Sequence, residues 1–259
     1  MILGAVFQLL GTTAVIYLIL MSAYFATGWL FYCNDPNRAD KIQRGEALSP
    51  GKVRRDIRQS VRSLLSVSLM FSIGHVLYDR FHIGFAAWPT SIWSVALSLL
   101  LSMLAYDAWF YWMHRLIHAK PLYRKIHRWH HLSLPSVSWS NNSDTLLDNL
   151  FLQSYWMFAH LIIPIAPAVL LFNKLYDQIS GVIGHSGVEH GGGMTWPPSP
   201  MISVTHHDQH HRFFNCNYAT HFTLWDRLMG TLHHTHDAEL KENLRQRRQE
   251  SAPDNRCDA

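Results

Sequence analysis

Eighteen histidines among 259 residues offer the most evident chemistry in this sequence. Eight of them lie in three segments in which neighbouring histidines are one, three or four residues apart. Positions i, i+3 and i+4 share one face of an α-helix, so each segment is predicted to present its imidazoles as one patch. The patch histidines are His114 and His118, then His127, His130 and His131, then His207, His210 and His211.

The number of these histidines predicts two metal ions rather than one. Imidazole binds iron, zinc, copper and nickel, and a mononuclear zinc site needs only three or four ligands. The eight patch histidines and His185 exceed that number. The sequence contains no Glu-x-x-His pair, no His-Glu-x-x-His motif and no Cys-x-x-Cys pair, which disfavours the soluble di-iron bundles, the zincins and a thiolate zinc site. We predict a dinuclear centre whose ligands are all, or nearly all, histidine.

The distribution of apolar and charged residues is that of a membrane protein. The chain is 48% hydrophobic and 15% charged, against about 25% charged residues in a soluble domain. Apolar stretches cover residues 1–33, 64–78, 85–113 and 146–172, while eight Lys and Arg lie between Arg38 and Arg62. The basic residues form no face with interleaved aromatics, so no nucleic-acid partner is expected. The predicted fold is an all-α integral membrane bundle with a cytosolic, histidine-rich helical cap.

The apolar stretches predict about four membrane spans. Residues 3–30 and 91–113 are each long enough to cross the bilayer, whereas 64–78 is short for a full span. Residues 53–61 are either a short amphipathic helix on the membrane face or a solvated loop. The basic loop 34–62 is expected in the cytoplasm. Two half-spans turning at residues 164–167 would return the chain to that side, which the histidines need in order to meet.

The whole chain is predicted to form one domain followed by a tail. Residues 1–237 form a single membrane-embedded domain, and 238–259 form a polar, frayed tail. His160 is interpreted as a structural polar residue. The histidines at 233, 234 and 236 are interpreted as exposed residues close to the tail.

Several motifs together resemble the fatty acid hydroxylase/sterol desaturase superfamily of membrane di-iron oxygenases. They cover roughly residues 105–232, in a specific order and spacing. The His-Ser-Gly at 185–187, the segment 206–211 and the segment 214–219 are most similar to the methylsterol monooxygenase and cholesterol 25-hydroxylase branch. The matching stretches are DAWFYWMHRLIH (107–118), PLYRKIHRWHH (121–131), HSG (185–187), HHDQHH (206–211) and NYATHFTLWDRLMGT (217–231).

The resemblance implies a four-helix membrane core with a cytosolic cap that holds two iron ions, for which zinc can substitute. It implies a monooxygenase-type oxidoreductase of lipid biosynthesis that uses molecular oxygen to hydroxylate or desaturate a C–H bond of a sterol, fatty acyl chain or other membrane lipid. Two electrons per turnover would come from an external donor, a ferredoxin or a cytochrome b5-like protein with its reductase. The lipid, the carbon and the choice between hydroxylation and desaturation stay open.

Ten histidines are the predicted metal ligands, and four further residues are predicted to support them. His190 is placed among the ligands, with Glu189 as the alternative, because the superfamily often supplies a second ligand near the histidine of His-Ser-Gly. Asp107 lies seven residues before His114 and is predicted to orient a ligand ring. Asp226 is either a similar support or a structural residue. The predicted ligands are His114, His118, His127, His130, His131, His185, His190, His207, His210 and His211, and the supporting residues are Asp107, His206, Asp208 and Asn217.

The sequence fits two other classes of function less well than the oxygenase. A zinc-dependent membrane hydrolase would leave most of the histidine patches without a role. A non-enzymatic metal-binding or transport protein would carry its histidines along the spans, to make a path, whereas here most of them follow span ends.

Overall fold

The computed structural model describes residues 2–191 and 194–251, and this part of the chain is helical, with two isolated β-bridges. Three of its helices are long and apolar enough to cross a membrane: α1 (Ile2–Phe31), α2 (Pro50–Phe81) and α3 (Ile92–Ile117). Outward-facing apolar side chains of α1, such as Phe7 and Leu10, are exposed, as expected of a surface that meets lipid. The all-α class is therefore confirmed, while the number of spans stays a prediction.

Helix α2 is continuous, whereas the sequence predicted two separate pieces, residues 53–61 and 64–78. It runs without a break through the basic segment and the following apolar one, and Ser49 caps its first turn. The reason lies in its buried face. Val53, Ser60, Leu64 and Val67 recur at three to seven residues along one stripe, so the amphipathic period continues from the polar half into the apolar half.

The core of the bundle lies between α1, α2, α3 and two later helices, α6 (Tyr155–Ile162) and α7 (Pro167–Gly184). Gly74 allows the backbones of α2 and α6 to approach closely, because a Cβ atom at this position would lie 2.7 Å from the carbonyl oxygen of Met157. The break between α6 and α7 falls at residues 163–166, one residue ahead of the predicted turn at 164–167, and the two helices contact each other.

The remaining elements are short and form the cap. After α3 come α4 (Lys120–Tyr123), two 3₁₀ helices (His130–Leu132 and Ser138–Ser140) and α5 (Leu146–Leu152). After α7 come α8 (Val204–Phe213) and α9 (Leu224–Leu228). The loop before α2 joins this cap, because Ile42 N–H donates to the Gly187 carbonyl (3.0 Å) and Gln43 donates to Asp208 (2.7 Å). The basic loop and the histidines therefore lie at the same end of the bundle.

The predicted frayed tail is wrong for the part that the structure describes. Residues 236–251 form α10 (His236–Ser251), which packs on α8. Leu240, Leu244 and His236 are buried, and Arg247 pairs with Asp40 at 2.9 Å. The local sequence is polar, but two leucines at i and i+4 are enough to attach one face. Residues 252–259 lie outside the described part.

Candidate metal centre

The structure brings nine of the ten predicted ligands into two adjacent groups. In each group, one nitrogen from every histidine lies within 4.8 Å of the others. We call them the five-histidine group and the four-histidine group. The first contains His114, His118, His127, His131 and His210, and the second contains His130, His185, His207 and His211.

The groups cut across the predicted patches. Residues 127–131 are divided, with His130 in one group and both His127 and His131 in the other. These residues form turns and a 3₁₀ helix rather than the predicted α-helix. In α8, His207 and His211 are one turn apart and stay together, whereas His210 turns to the other group. Each of these two segments therefore links the two groups covalently, whereas His114 and His118 both belong to the five-histidine group.

Hydrogen bonds at Nδ1 determine which nitrogen is free in three of these rings. The Nδ1 atom of His114 lies 2.8 Å from the Tyr218 carbonyl, that of His185 lies 2.8 Å from the Gly181 carbonyl, and that of His210 lies 2.7 Å from the Cys216 carbonyl. A carbonyl oxygen can only accept, so Nδ1 carries the proton in each ring. In these neutral rings the Nε2 lone pair is free to bind a metal ion.

The Nε2 atoms lie at the separations expected of ligands that share an ion. In the five-histidine group, neighbouring Nε2 pairs are 3.0 to 3.3 Å apart, and in the four-histidine group they are 2.9 to 3.4 Å apart. Two nitrogens bound to one ion at about 2.1 Å, at a right angle, lie about 3.0 Å apart. In the pair His114 and His127, Nδ1 of each ring faces an oxygen acceptor, so both Nε2 atoms carry lone pairs and repel each other unless a metal ion or a proton lies between them. The donor set fits a metal ion in each group.

Burial keeps most of these rings neutral, with His130 as an exception, because burial lowers its pKa but the neighbouring carboxylate of Asp144 raises it overall. Burial lowers the pKa of His207, His210 and His211 well below the usual value, and the neighbouring histidines lower it further. The pKa of His185 falls to about 3 for the same two reasons. Metal binding requires neutral imidazole, so the folded chain holds these side chains in the form that binds.

Two carboxylates, which the sequence analysis missed, orient one ring in each group. Asp148 lies 2.9 Å from Nδ1 of His127, and Asp144 lies 3.0 Å from Nδ1 of His130. Such partners set the tautomer and raise the basicity of a ligand ring. A signal was present for one of them, because Thr145 and Asp148 form the capping box that begins α5. A capping box marks the start of a helix, so the sequence indicated that residues 141–145 lie in a turn before α5.

Two of the predicted supporting residues, Asp107 and Asp208, form their hydrogen bonds with groups other than the ligand rings. Asp107 accepts the backbone N–H groups of Thr220, His221 and Phe222, and it contacts no ligand ring in these hydrogen bonds. Asp208 bonds to Gln43 and Arg212, and burial raises its pKa to about 6.

Asp226 holds the loop that fixes His114. It accepts the N–H groups of Tyr218 and Ala219 and lies 3.0 Å from Nε2 of His206. Asn217 has positive φ and bonds to the His206 carbonyl. These contacts position the carbonyl of Tyr218 that accepts from His114.

The structure does not bring His190 or Glu189 to the metal groups. Nε2 of His190 bonds to the Ser186 hydroxyl at 3.0 Å, and its ring packs on Phe31. Glu189 accepts from the N–H and the hydroxyl of Thr205. Helix α7 ends at Gly184, and Gly187 has positive φ. The chain after His185 therefore turns away, which corrects the placement of His190 among the ligands.

Two cavities meet beside the centre. The inner cavity, of about 80 Å³, is lined by histidines of both groups, by Phe110 and by polar side chains that include Asp177. The outer cavity, of about 560 Å³, is mainly apolar and is lined by residues such as Phe172, Leu175 and Ile179. The lining residues common to both cavities are Ser180, Gly184, Ile202 and Thr220.

The fold and site define a helical membrane protein with a histidine-rich centre that could hold two metal ions. The fatty acid hydroxylase domain model matches residues 99–231, just over half of the chain. The chain belongs to the fatty acid hydroxylase family.

Three curated relatives are similar to parts of this chain. Human lathosterol oxidase is 28% identical over 200 residues, covering 74% of this chain and 65% of the relative. Rat cholesterol 25-hydroxylase is 26% identical over 198 residues, covering 70% and 65%. The Delta(7)-sterol 5(6)-desaturase ERG3B of Gibberella zeae is 32% identical over 142 residues, covering 54% and 43%. The chain thus spans less than two thirds of the length of each. No solved structure matches it.

Proposed function

We propose that this protein is an oxygen-dependent di-iron enzyme that hydroxylates or desaturates a C–H bond of a membrane lipid. The observation that carries the proposal is the pair of adjacent histidine groups facing one cavity, which shares lining residues with a larger, mainly apolar cavity. The relatives' names support the reaction type, because they include an oxidase, a hydroxylase and a desaturase of sterols. Each of the two groups of predicted ligands would hold one iron ion.

The bound iron would supply the oxygen activation that an unactivated C–H bond requires. The chain's own residues do the rest. Carbonyls and carboxylates at Nδ1 hold the rings in one tautomer. Apolar lining residues of the inner cavity, such as Phe110, Leu152 and Ala219, limit water beside the reacting carbon. The apolar wall of the outer cavity accommodates the rest of the lipid.

We further propose that the centre faces the cytoplasm, where an external electron donor supplies the two electrons. The cap lies at the same end as the exposed residues Arg54, Arg58 and Arg62 of α2. Basic residues next to membrane spans favour the cytoplasmic side. A Lys125→Cys variant, in a background without Cys257, would test the sidedness, since Lys125 is exposed near the centre. A membrane-impermeant maleimide should label it in permeabilised cells and not in intact ones.

The activity is tested by metal analysis together with oxygen uptake. Protein purified after expression in iron-replete medium should hold two irons per chain. With a reductant and a mixed lipid extract, it should consume oxygen, and mass spectrometry should find an oxidised lipid. A His211→Ala variant is the background control, because it removes one predicted ligand. One zinc per chain, with no oxygen uptake by the iron-loaded form, would contradict the proposal and support the hydrolase alternative.

A further inference from the structure

A buried polar cluster beside the inner cavity lies outside both histidine groups. Lys174 donates to Asp177 (2.7 Å) and to Gln153 (2.9 Å), and all three side chains are buried. Taking charged groups out of water is costly, and ionisable residues within apolar surroundings mark functional sites. Asp177 lines the inner cavity, and Ser180, Gly181 and Gly184 line it too, further along the same helix.

His221 faces this cluster from the other side. Its ring is 2% exposed, and neither nitrogen has a hydrogen-bond partner among the described residues. Asp107 holds its backbone by accepting three consecutive N–H groups. Burial lowers the pKa of His221, so the neutral ring offers one donor and one acceptor. An unpartnered buried imidazole of this kind calls for a ligand.

The two side chains lie on either side of the junction between the cavities. His221 lines the outer cavity and Asp177 lines the inner one, while Thr220 lines both. Nε2 of His221 and Oδ1 of Asp177 are 3.9 Å apart. This separation is too long for a direct hydrogen bond, but an oxygen about 2.8 Å from each atom fits between them. A hydroxyl group there can donate to the carboxylate and accept from the ring N–H.

We propose that Asp177 and His221 bind a hydroxyl group of the lipid substrate at this junction, and so select hydroxyl-bearing lipids. The inference rests on the lipid oxidation proposed above. The apolar body of the lipid then occupies the outer cavity, and its hydroxyl-bearing end reaches the small inner cavity. The oxidised carbon consequently lies close to the hydroxyl group.

The test compares the binding of lipids that differ only at the hydroxyl. Equilibrium binding of two labelled pairs to the purified, metal-loaded protein is measured: cholesterol with its methyl ether, and octadecanol with its methyl ether. In at least one pair, the alcohol should bind about tenfold more tightly, the equivalent of one typical hydrogen bond. His221→Phe should abolish that preference and leave the melting temperature unchanged, because the nitrogens it removes have no partner in the protein.

His160→Phe is the matched control. His160 is also a buried histidine with an unpartnered ring nitrogen, and it stacks on Tyr78 rather than lining either cavity. This variant should keep the preference. Equal binding of alcohol and ether in both pairs by the native protein would overturn the proposal, and so would a preference that survives in His221→Phe.

A second variant tests the location of the hydroxyl independently. A Cβ atom at Gly184 would meet nothing within 4 Å, so Gly184→Leu extends into the junction without a clash at Cβ. Binding of the preferred alcohol should fall at least about tenfold, with two metal ions still bound per chain. Unchanged binding would overturn the placement. Selective binding without lipid-dependent oxygen uptake would contradict the proposed function alone, so the two failures are distinguishable.

Discussion

The two histidine groups differ in how much of each is open to substrate. Of the five-histidine group, two members, His114 and His127, line the inner cavity. Of the four-histidine group, three line it: His130, His185 and His207. Metal sites that act on substrates keep positions free of protein ligands, whereas structural sites are closed. We therefore expect oxygen and lipid to approach the four-histidine group, with the five-histidine group as the more enclosed partner.

The largest effect should come from removing one ligand from each group. His210 and His211 are adjacent in α8 and both are fully buried, but they belong to different groups. His210→Ala and His211→Ala should each lose metal, with activity reduced more than about 100-fold, since even residues that only orient ligands cost 10–100-fold. Metal content per chain and oxygen uptake measure the effect. Retention of both ions in either variant would contradict the assignment of its group.

The orienting carboxylates should rank next, and they compare the groups directly. Asp144→Asn and Asp148→Asn change the partner of one ligand ring in each group. Each should weaken binding of the ion in its own group by about 10–100-fold. Competition with a chelator would measure this, with Asp208→Asn as the control because Asp208 contacts Gln43 and Arg212 instead. Equal loss of metal affinity in Asp208→Asn would show that the effect does not depend on contact between the carboxylate and a ligand ring.

A smaller, graded effect should appear in the stability of the metal-free protein. Histidines such as His207, His210 and His211 have pKa values held well below 6.5 by burial. Below about pH 6.5 the unfolded chain binds protons that the folded chain does not, so the free energy of unfolding falls by up to about 1.4 kcal/mol per pH unit for each such histidine. Asp208 acts in the opposite direction, because burial raises its pKa to about 6.

Thermal unfolding of the chelator-treated protein from pH 7.5 to 5.5 measures this dependence. The midpoint should decrease steadily below pH 6.5. A midpoint that stays constant over this range would mean that the histidines titrate normally in the folded state, and that the two groups are not closed to water.

The smallest effect is expected at His190. His190→Gln should leave two ions per chain, because Nε2 of His190 bonds to the Ser186 hydroxyl. His185→Gln, five residues earlier, should instead release the ion of the four-histidine group. Loss of an ion in His190→Gln would identify His190 as a fifth ligand of the four-histidine group. The two groups would then no longer differ in the number of their ligands.

The sequence identified the site residues whose signal is local and missed those whose roles depend on distant contacts. Spacing of three and four residues identified His114, His118 and His207 without any structure, because helical periodicity is local. Asp144, Asp148 and His221 were missed, since their roles depend on contacts across 14, 21 and 44 residues of chain, respectively. The burial of α10 was missed for the same reason, because Leu240 and Leu244 are ordinary residues until α8 covers them.

By itself, the sequence determined the all-α membrane class and the composition of the site. Apolar length and histidine content are properties of the chain that need no partner. Only the tertiary structure decided which histidine joins which group. His130 and His131 are neighbours in sequence but face different groups, and so are His210 and His211 in the regular helix α8. Successive residues of a helix point about 100° apart, so the packing of the surrounding elements decides which other ligands each one meets. Ligand sets are defined by where lone pairs converge in space, and that convergence depends on how α3, α7 and α8 pack.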